Sequence, residues 1–308
     1  MCVHTILYAG AKSLLVPRLV LKEYAELIKK KRPNNIAGVP TLYEAMISNP
    51  FLDGVKLDFL EGVFSGGDSL SPELKKRFDK YLAEHGANVR VREGYGLTEC
   101  VTASCLTPDD REVEGSIGIP FPDTFYEIRD PKTGERVQSG ENGEICITGP
   151  SLMMGYIDRE EETAEALRVH EDGETWLHTG DLGMMDENGF VYFRQRLKRV
   201  IITSGYNVYP SQIEAVLESH PSVSRCCVIG VPDAYRMQKV KAFIVPKEGI
   251  KPSDKLKEDI LEHCKKDIAR YAMPREVEFR TELPLTGVGK VAYSVLEKEE
   301  LSKYGKDT

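Results

Sequence analysis

The sequence predicts an α/β layer, then a β-rich segment, then a small α+β domain. Between residues 21 and 94, stretches of helical periodicity alternate with short apolar runs that end in glycine. From about Gly115 to Phe193, short alternating segments are separated by turn clusters such as DPKTGE and DENGF. After Arg194, helices and strands alternate again within ~110 residues, the size of a separate small domain. Strand–helix–strand order is typical of α/β layers.

Two helices and two strands are predicted in the α/β part. Apolar residues recur with a helical period over 21–31 and again after Ser71-Pro72. Ser71 is a good N-cap, and Pro72 suits the first helical position. The runs GVFSGG (62–67) and NVRVREG (88–94) predict strands that give way to loops at glycine.

The remaining elements set the expected domain boundaries. In the β-rich segment, helical periodicity is confined to about 158–167. Beyond it, the pattern predicts a helix from Ser211 and then two strands, at about 225–230 and 240–245. A further helix is predicted over about 253–268. We therefore expect a large domain over 1–195, with an α/β part (1–112) and a β-rich, barrel-like part (113–195), and a C-terminal α+β domain over 196–308.

Composition narrows the classes of function. The 49 acidic and 41 basic residues give a formal charge of −8, which argues against binding nucleic acid through a basic face. Seven cysteines without a Cys-x-x-Cys pair predict neither a disulfide framework nor a zinc site, and they favour a reducing cytoplasm. The opening segment MCVHTILYAGAKSLLVPRLV is broken by polar residues and proline, so no signal peptide or membrane span is predicted.

Two glycine segments could admit a flat ligand close to the backbone. Gly66-Gly67 follows a predicted strand, and REGYGLTEC (92–100) places two glycines around an aromatic ring. In the second segment, Tyr95 offers a stacking face, Thr98 a hydroxyl for phosphate and Glu99 a hard oxygen ligand for Mg²⁺. Taken singly, these features are better explained by a strand-to-helix turn, a core aromatic and a solvated carboxylate.

Two later motifs carry charged groups in glycine turns. WLHTGDLG (176–183) ends a predicted strand with Asp181 in a turn, where a carboxylate can accept hydrogen bonds from ribose hydroxyls. LTGVGK (285–290) could deliver the Lys290 ammonium to a developing negative charge. It is not a nucleotide-binding P-loop, because Val291 follows the lysine.

In this order, the motifs together resemble the acyl-adenylate-forming superfamily of acyl-CoA synthetases, luciferases and carrier-protein-loading adenylation domains. The resemblance extends from the first residues to about Lys298. The matching segments are FSGGDSLSPEL (64–74), GYGLTE (94–99), GEICITGPSLMMGY (143–156), WLHTGDLG (176–183), RQRLKRVIITSGYNVYPSQIE (194–214) and PLTGVGK (284–290).

The resemblance implies a nucleotide site in the first domain. Tyr95 would stack on adenine, Thr98 would contact phosphate, and Glu99 would hold Mg²⁺. The nucleotide-binding positions implied there are Gly66, Gly67, Asp68, Gly94, Tyr95, Gly96 and Thr98.

The resemblance also assigns roles near and within the C-terminal domain. Asp181 and Arg196 would hold the ribose hydroxyls, and Lys198 would be the hinge. Lys290 would act in adenylation, together with Thr98 and Glu99. The implied CoA-binding residues are Ser204, Gly205 and Tyr206.

These roles imply an acyl-CoA synthetase with ATP, CoA and a fatty or other apolar carboxylic acid as substrates and Mg²⁺ as cofactor. Joining the carboxylate to AMP makes its carbon a good electrophile, and the CoA thiol then displaces AMP. Rotation about Lys198 would exchange Lys290 for Gly205 at the reacting centre. We also expect a cytoplasmic location and a possible homo-oligomer.

The sequence departs from the family pattern in several places. The family's Ser/Thr/Gly-rich phosphate loop, which ends in Pro-Lys, does not occur in these 308 residues. We therefore expect a chain that lacks an N-terminal part and is impaired in adenylation. Met237-Gln238 replaces the common Gly-Glu, Arg199 replaces an acidic residue after the hinge, and Tyr293 stands where arginine often follows the lysine.

Two alternatives remain open from the sequence. Within the enzyme class, the chain could activate an aryl acid or load a carrier protein. In a different class, it could be a non-catalytic nucleotide- or CoA-binding module, or a decayed fragment whose apolar surface drives self-association.

Overall fold

The structure is a computed structural model that describes residues 4–16, 18–101, 103–233, 235–286 and 290–304. It contains two compact units. The first runs to Thr179 and resumes over Gly183–Phe193; the second comprises Gly180–Leu182 and the chain from Arg194 onward. The helices are α1 (His4–Tyr8), α2 (Leu21–Lys31), α3 (Pro40–Ile47), α4 (Pro72–Glu84), α5 (Glu160–Ala166), α6 (Pro210–Glu218), α7 (Asp254–Cys264) and α8 (Tyr293–Tyr304).

The strands form three sheets. Those of the first unit's α/β part are β1 (Asn35–Gly38), β2 (Gly62–Ser65), β3 (Val91–Tyr95), β4 (Cys105–Leu106) and β5 (Ile119–Pro120). The β-rich part contains β6 (Phe125–Arg129), β7 (Gly143–Thr148), β8 (Leu167–Val169), β9 (Thr175–Met185) and β10 (Val191–Arg196). The last sheet contains β11 (Ile201–Thr203), β12 (Tyr206–Val208), β13 (Val223–Asp233), β14 (Met237–Pro246) and β15 (Glu276–Phe279).

The α/β sheet has the order β1-β2-β3-β4-β5, with β1, β2 and β3 parallel. Helix α4, which connects β2 to β3, begins as predicted: the Ser71 side chain accepts a hydrogen bond from Leu74 N at 3.2 Å, and Pro72 follows it. Its apolar stripe, which includes Phe78 and Leu82, is fully buried in the core of this layer. The predicted strand at 88–94 ends one residue later, at Tyr95.

The β-rich part is a five-stranded sheet of order β10-β9-β7-β6, with β8 paired to β9. Alternate residues of β6 and β7, such as Tyr126, Ile128 and Ile145, point into its core. The predicted turn at Asp181 is wrong. Strand β9 continues through this residue to Met185, and Gly180, with φ of +68°, provides a backbone kink that other residues rarely adopt.

The second unit has a mixed sheet of order β12-β11-β14-β13, with β15 parallel to β14. The two faces of β13 enter different cores because successive side chains alternate. Cys226 and Val228 pack with α6 and α7, whereas Cys227 and Ile229 pack with Leu296 of α8. This sandwich of a sheet between helices is the expected α+β arrangement.

Two further features hold across the described ranges. No helix there is long and apolar enough to cross a bilayer. The six cysteines that the structure describes are all free thiols and all buried.

Candidate functional site

The carboxyl ends of β2 and β3 bring both glycine segments of the first unit together. The strands are parallel neighbours, with Ser65 opposite Glu93. A Cβ placed on Gly66 would lie only 3.2 Å from the Gly94 carbonyl oxygen, so a side chain at position 66 would press on this backbone. Ligands of open α/β sheets bind beyond the carboxyl ends of the strands. The structure therefore places the predicted glycines at the edge where a ligand is expected.

A buried hydroxyl at this edge was not among the predicted site residues. Ser65 is the last residue of β2, and its Oγ has no hydrogen-bond partner within the described part of the chain. An unpaired buried hydroxyl costs free energy, which a ligand could recover by hydrogen bonding. The segment FSGGD contains this serine, but its sequence does not show that the hydroxyl is buried and unpaired.

Glu99 is held in place from a distant part of the chain. It lies in a single 3-10 turn, Thr98–Cys100, which follows β3. The Tyr156 hydroxyl donates a hydrogen bond to Glu99 Oε1 at 2.8 Å, and Met153 N donates one to the Glu99 carbonyl oxygen at 2.8 Å. A half-buried carboxylate is a suitable ligand for a hard divalent cation, so this residue fits Mg²⁺. The neighbouring Thr98 is exposed.

Tyr95 lies against other aromatic rings of the same unit. Its ring centroid is 6.1 Å from that of Phe193 and 6.5 Å from that of Tyr126. The side chain is half-buried and packs against the core of the β-rich sheet. It is therefore both a packing residue and a candidate stacking surface, and Gly96 follows it directly.

The carboxyl group of Glu93 is perturbed beside this edge. Its removal from water raises its pKa to about 7; Lys75 opposes this change, and Glu112 adds to it. Lys75 is itself paired with Asp79 at 2.8 Å and with Glu112 at 2.9 Å. A carboxyl group that titrates near neutral pH next to a candidate site is a functional candidate in its own right.

In the second unit, Asp181 and Arg196 form an ion pair. Arg196 Nε lies 2.8 Å from Asp181 Oδ1, the Asp181 side chain is 2% exposed, and that of Arg196 is 53% exposed. The ends of β9 and β10 bring the two residues together. The structure thus joins two residues that the sequence assigned to one role.

The two predicted lysines are both exposed. Lys198 lies in a single 3-10 turn, Leu197–Arg199. Lys290 N donates a hydrogen bond to Thr286 Oγ1 at 3.1 Å, and Thr286 N donates one to the Lys290 carbonyl oxygen at 2.7 Å. Thr286 and Lys290 are thus paired with each other, and Gly287, Val288 and Gly289 lie outside the described residues.

The predicted CoA-binding segment is the tip of a hairpin. Ser204 and Gly205 connect β11 to β12, and both have positive φ, +51° and +83°. Such two-residue turns favour glycine and asparagine. A Cβ on Gly205 would meet nothing within 4 Å, so this surface is open. Tyr206 stacks on Tyr271 with ring centroids 4.5 Å apart.

Two of the departures from the family pattern contact each other. Arg199 pairs with Glu214, and its guanidinium lies 5.0 Å from the ring centroid of Tyr293. A third, Gln238, accepts a hydrogen bond from Ile202 N at 2.8 Å. These three residues therefore make contacts within the second unit, although they lie far apart in the sequence.

The predicted residues thus fall into two groups. One group, from Gly66 to Glu99, lies on the first unit, and the other, from Asp181 to Lys290, lies on the second. The profile of the AMP-binding enzyme family matches residues 1–157, and that of the AMP-binding enzyme C-terminal domain matches residues 212–290. The chain belongs to the AMP-binding enzyme family.

Relatives in this family are numerous. A long-chain-fatty-acid–CoA ligase of Bacillus subtilis (strain 168) is 38% identical over 299 residues, which cover 96% of this chain and 50% of the ligase. A feruloyl-CoA synthase of Amycolatopsis sp is 35% identical over 94% of this chain and 56% of the synthase. The chain spans about half the length of these relatives.

A solved structure supports the fold. ATP-bound MatB from Rhodopseudomonas palustris matches 96% of this chain and 56% of its own, with a TM-score of 0.84 and 30% identity. The predicted fold class, α/β followed by α+β, is confirmed.

Proposed function

We propose that this AMP-binding enzyme is an acid–thiol ligase, an acyl-CoA synthetase that joins a fatty or other apolar carboxylic acid to CoA through an acyl-adenylate. The observation that carries the proposal is the close approach of Gly66 and Gly94 at the carboxyl ends of two parallel strands, with Glu99 in the turn that follows the second strand. The 38% identity to a long-chain-fatty-acid–CoA ligase supports a fatty substrate.

In the first unit, the glycine segments would admit the adenine, with Tyr95 against its face and Asp68 and Gly96 at its edge. The Ser65 hydroxyl would regain a hydrogen-bond partner from the nucleotide, and Thr98 would contact its phosphate. Glu99, restrained by Tyr156, would hold Mg²⁺, which when bound neutralises phosphate charge.

In the second unit, Asp181 would accept hydrogen bonds from the ribose hydroxyls while Arg196 offsets its charge. The exposed Lys290 ammonium would stabilise negative charge as the acid oxygen attacks the α-phosphorus and diphosphate leaves. Lys198 would be the hinge at which the chain changes conformation between the two half-reactions.

The second half-reaction transfers the acyl group to sulfur. The CoA thiolate attacks the acyl carbon, the bond from that carbon to the AMP oxygen breaks, and AMP leaves. Ser204, Gly205 and Tyr206 would form the surface for the pantetheine arm, and the open space around Gly205 fits that role. The six buried free thiols are compatible with action in a reducing cytoplasm.

The thiol that accepts the acyl group distinguishes this proposal from the loading of a carrier protein. The purified chain would receive preformed fatty acyl-AMP with either CoA or a carrier-linked pantetheine thiol, and thioester formation would be followed. We expect CoA to be the better acceptor. Because these 308 residues contain no phosphate loop, we expect ATP plus free acid to react more slowly than acyl-AMP.

Two alternatives have specific support. The identity to a feruloyl-CoA synthase favours an aryl acid, which a parallel assay with aryl-AMP would reveal. The exposed side chains of Leu7, Tyr8 and Leu15 favour a self-associating, homo-oligomeric binding module. AMP binding without any thioester product would support that second alternative.

A further inference from the structure

A cysteine and two histidines lie together in the β-rich sheet, among residues given no role above. Cys146 is on β7, His178 is on β9, and His170 is in the loop between β8 and β9. One donor atom from each lies within 4.8 Å of the others. Cys146 is buried, and the histidine side chains are 6% and 7% exposed. These side-chain types are the commonest zinc ligands.

A carboxylate lies near Nδ1 of each imidazole ring, and the one beside His178 is at hydrogen-bond distance. Glu144 Oε2 lies 2.9 Å from His178 Nδ1, and Glu127 Oε2 lies 3.5 Å from His170 Nδ1. The carboxylate beside His178 Nδ1 favours the tautomer with hydrogen on that nitrogen, which leaves the lone pair on Nε2, whereas the buried His170 Nδ1 makes no hydrogen bond within the described part of the chain. In His178, therefore, the nitrogen available to bind a ligand is Nε2.

The two Nε2 atoms face each other at 3.0 Å. The His178 lone pair therefore faces His170 Nε2, which can donate its own hydrogen to it or share a cation with it. Cys146 Sγ lies beside the same ring, 3.6 Å from His178 Nδ1.

The charges around the cluster favour a cation. Glu127 and Glu144 are nearly buried carboxylates, and Arg129 compensates Glu127 at 2.8 Å. A divalent ion with one thiolate ligand adds one net positive charge beside Glu144, whose Oε2 lies 2.9 Å from His178 Nδ1.

We propose that Cys146 Sγ, His170 Nε2 and His178 Nε2 bind a zinc-class divalent transition-metal ion. Two imidazole nitrogens on a tetrahedral zinc ion lie roughly 3.3 Å apart, so the rings need to separate by only a few tenths of an ångström. Glu127 and Glu144 are the outer carboxylates that fix ligand orientation in such sites.

The site would stabilise the strand that carries Asp181. Its ligands connect β7, the β8–β9 loop and β9, and β9 continues from His178 to Asp181 within three residues. The role is structural, because Cys146 and the histidines lie outside the residues assigned to substrate. Metal removal would therefore lower stability first and nucleotide affinity only indirectly.

Cobalt titration tests the proposal with a readout independent of activity. Chelator-treated chain would be titrated with Co²⁺, and we expect a thiolate-to-cobalt charge-transfer band that saturates at one equivalent and disappears on addition of Zn²⁺. Trp176, the chain's single tryptophan, stacks on His170 at 5.1 Å, so its fluorescence should change in parallel. Zn²⁺ should also raise the unfolding midpoint.

Matched variants identify the ligands. Cys146→Ser should abolish the charge-transfer band, and His170→Gln and His178→Gln should each weaken Co²⁺ binding at least tenfold. Cys105→Ser and His85→Gln, which change a buried cysteine and a histidine elsewhere in the same unit, should leave it unchanged. Absence of stoichiometric Co²⁺ and Zn²⁺ binding by the unmodified chain, or a band that survives in Cys146→Ser, would overturn the proposal. Metal binding by the unmodified chain can be measured even if a variant fails to fold, so the proposal stays open to refutation.

Discussion

At the scale of single residues, the Tyr156 hydroxyl restrains the carboxylate that we expect to hold Mg²⁺. Tyr156→Phe removes one hydrogen bond to a charged group, worth roughly 1–2 kcal/mol. We therefore expect the Mg²⁺ concentration for half-maximal nucleotide binding to rise about fivefold or more, as measured by calorimetry. Tyr192→Phe, which removes a hydroxyl hydrogen bond to Asp186, is the control. An equal shift in both variants would contradict the assignment.

Arg196 compensates a buried carboxylate. Replacing it in Arg196→Gln leaves Asp181 without its ion-pair partner, at a cost of about 1–3 kcal/mol in unfolding free energy. We also expect AMP affinity to fall about tenfold, since the carboxylate that we propose binds the ribose loses its orientation. Thermal unfolding and AMP titration would measure the two effects. Arg225→Gln in the same unit should change neither, and unchanged AMP affinity in Arg196→Gln would contradict the ribose role.

Glu93 gives a pH dependence of stability whose sign is fixed. Burial raises its pKa from an ordinary value near 4.5 to about 7, so the folded state retains a proton that the unfolded chain loses between these values. This contribution to stability is complete below pH 4.5 and is lost as pH rises to 7, by up to about 3 kcal/mol. Denaturant unfolding monitored by Trp176 fluorescence should show this decline, and Glu93→Gln should lack it. The same slope in both chains would refute the assignment.

At the scale of elements, a substitution in the β11–β12 hairpin can distinguish an effect on turn geometry from an effect on CoA binding. Asparagine tolerates positive φ, so Gly205→Asn should preserve the fold while its side chain occupies the proposed pantetheine surface. We expect thioester formation from acyl-AMP to fall at least tenfold. Gly249→Asn is a matched control, because Gly249 has φ of +82° and a Cβ there would meet nothing within 4 Å. Equal rates in both variants would exclude Gly205 from the CoA site.

The elements that the sequence predicted best have local signals. Helix α4 has its cap, its first proline and its apolar stripe within 14 residues, Ser71 to Glu84. Helix α8 was missed because its apolar residues do not follow one face, and Leu296 is fixed instead by packing under β13. The turn at Asp181 was wrong because a kinked Gly180 within a strand has the same local sequence as a turn.

At the scale of the whole molecule, the sequence located the candidate site only where its residues are neighbours along the chain. Gly94, Tyr95 and Glu99 lie in one motif, so their proximity was predictable. The hydrogen bond from Tyr156 to Glu99 joins residues 57 positions apart. The His170–His178 pair likewise depends on a hairpin register and on buried carboxylates, which sequence spacing alone does not show.

The central claim is that this chain is an AMP-forming acid–thiol ligase. The most direct measurement supplies the purified chain with preformed fatty acyl-AMP and CoA and follows thioester and AMP together. We predict stoichiometric appearance of both products, faster than from ATP, Mg²⁺ and free acid. Absence of thioester from acyl-AMP, under conditions where the chain is folded, would contradict the account.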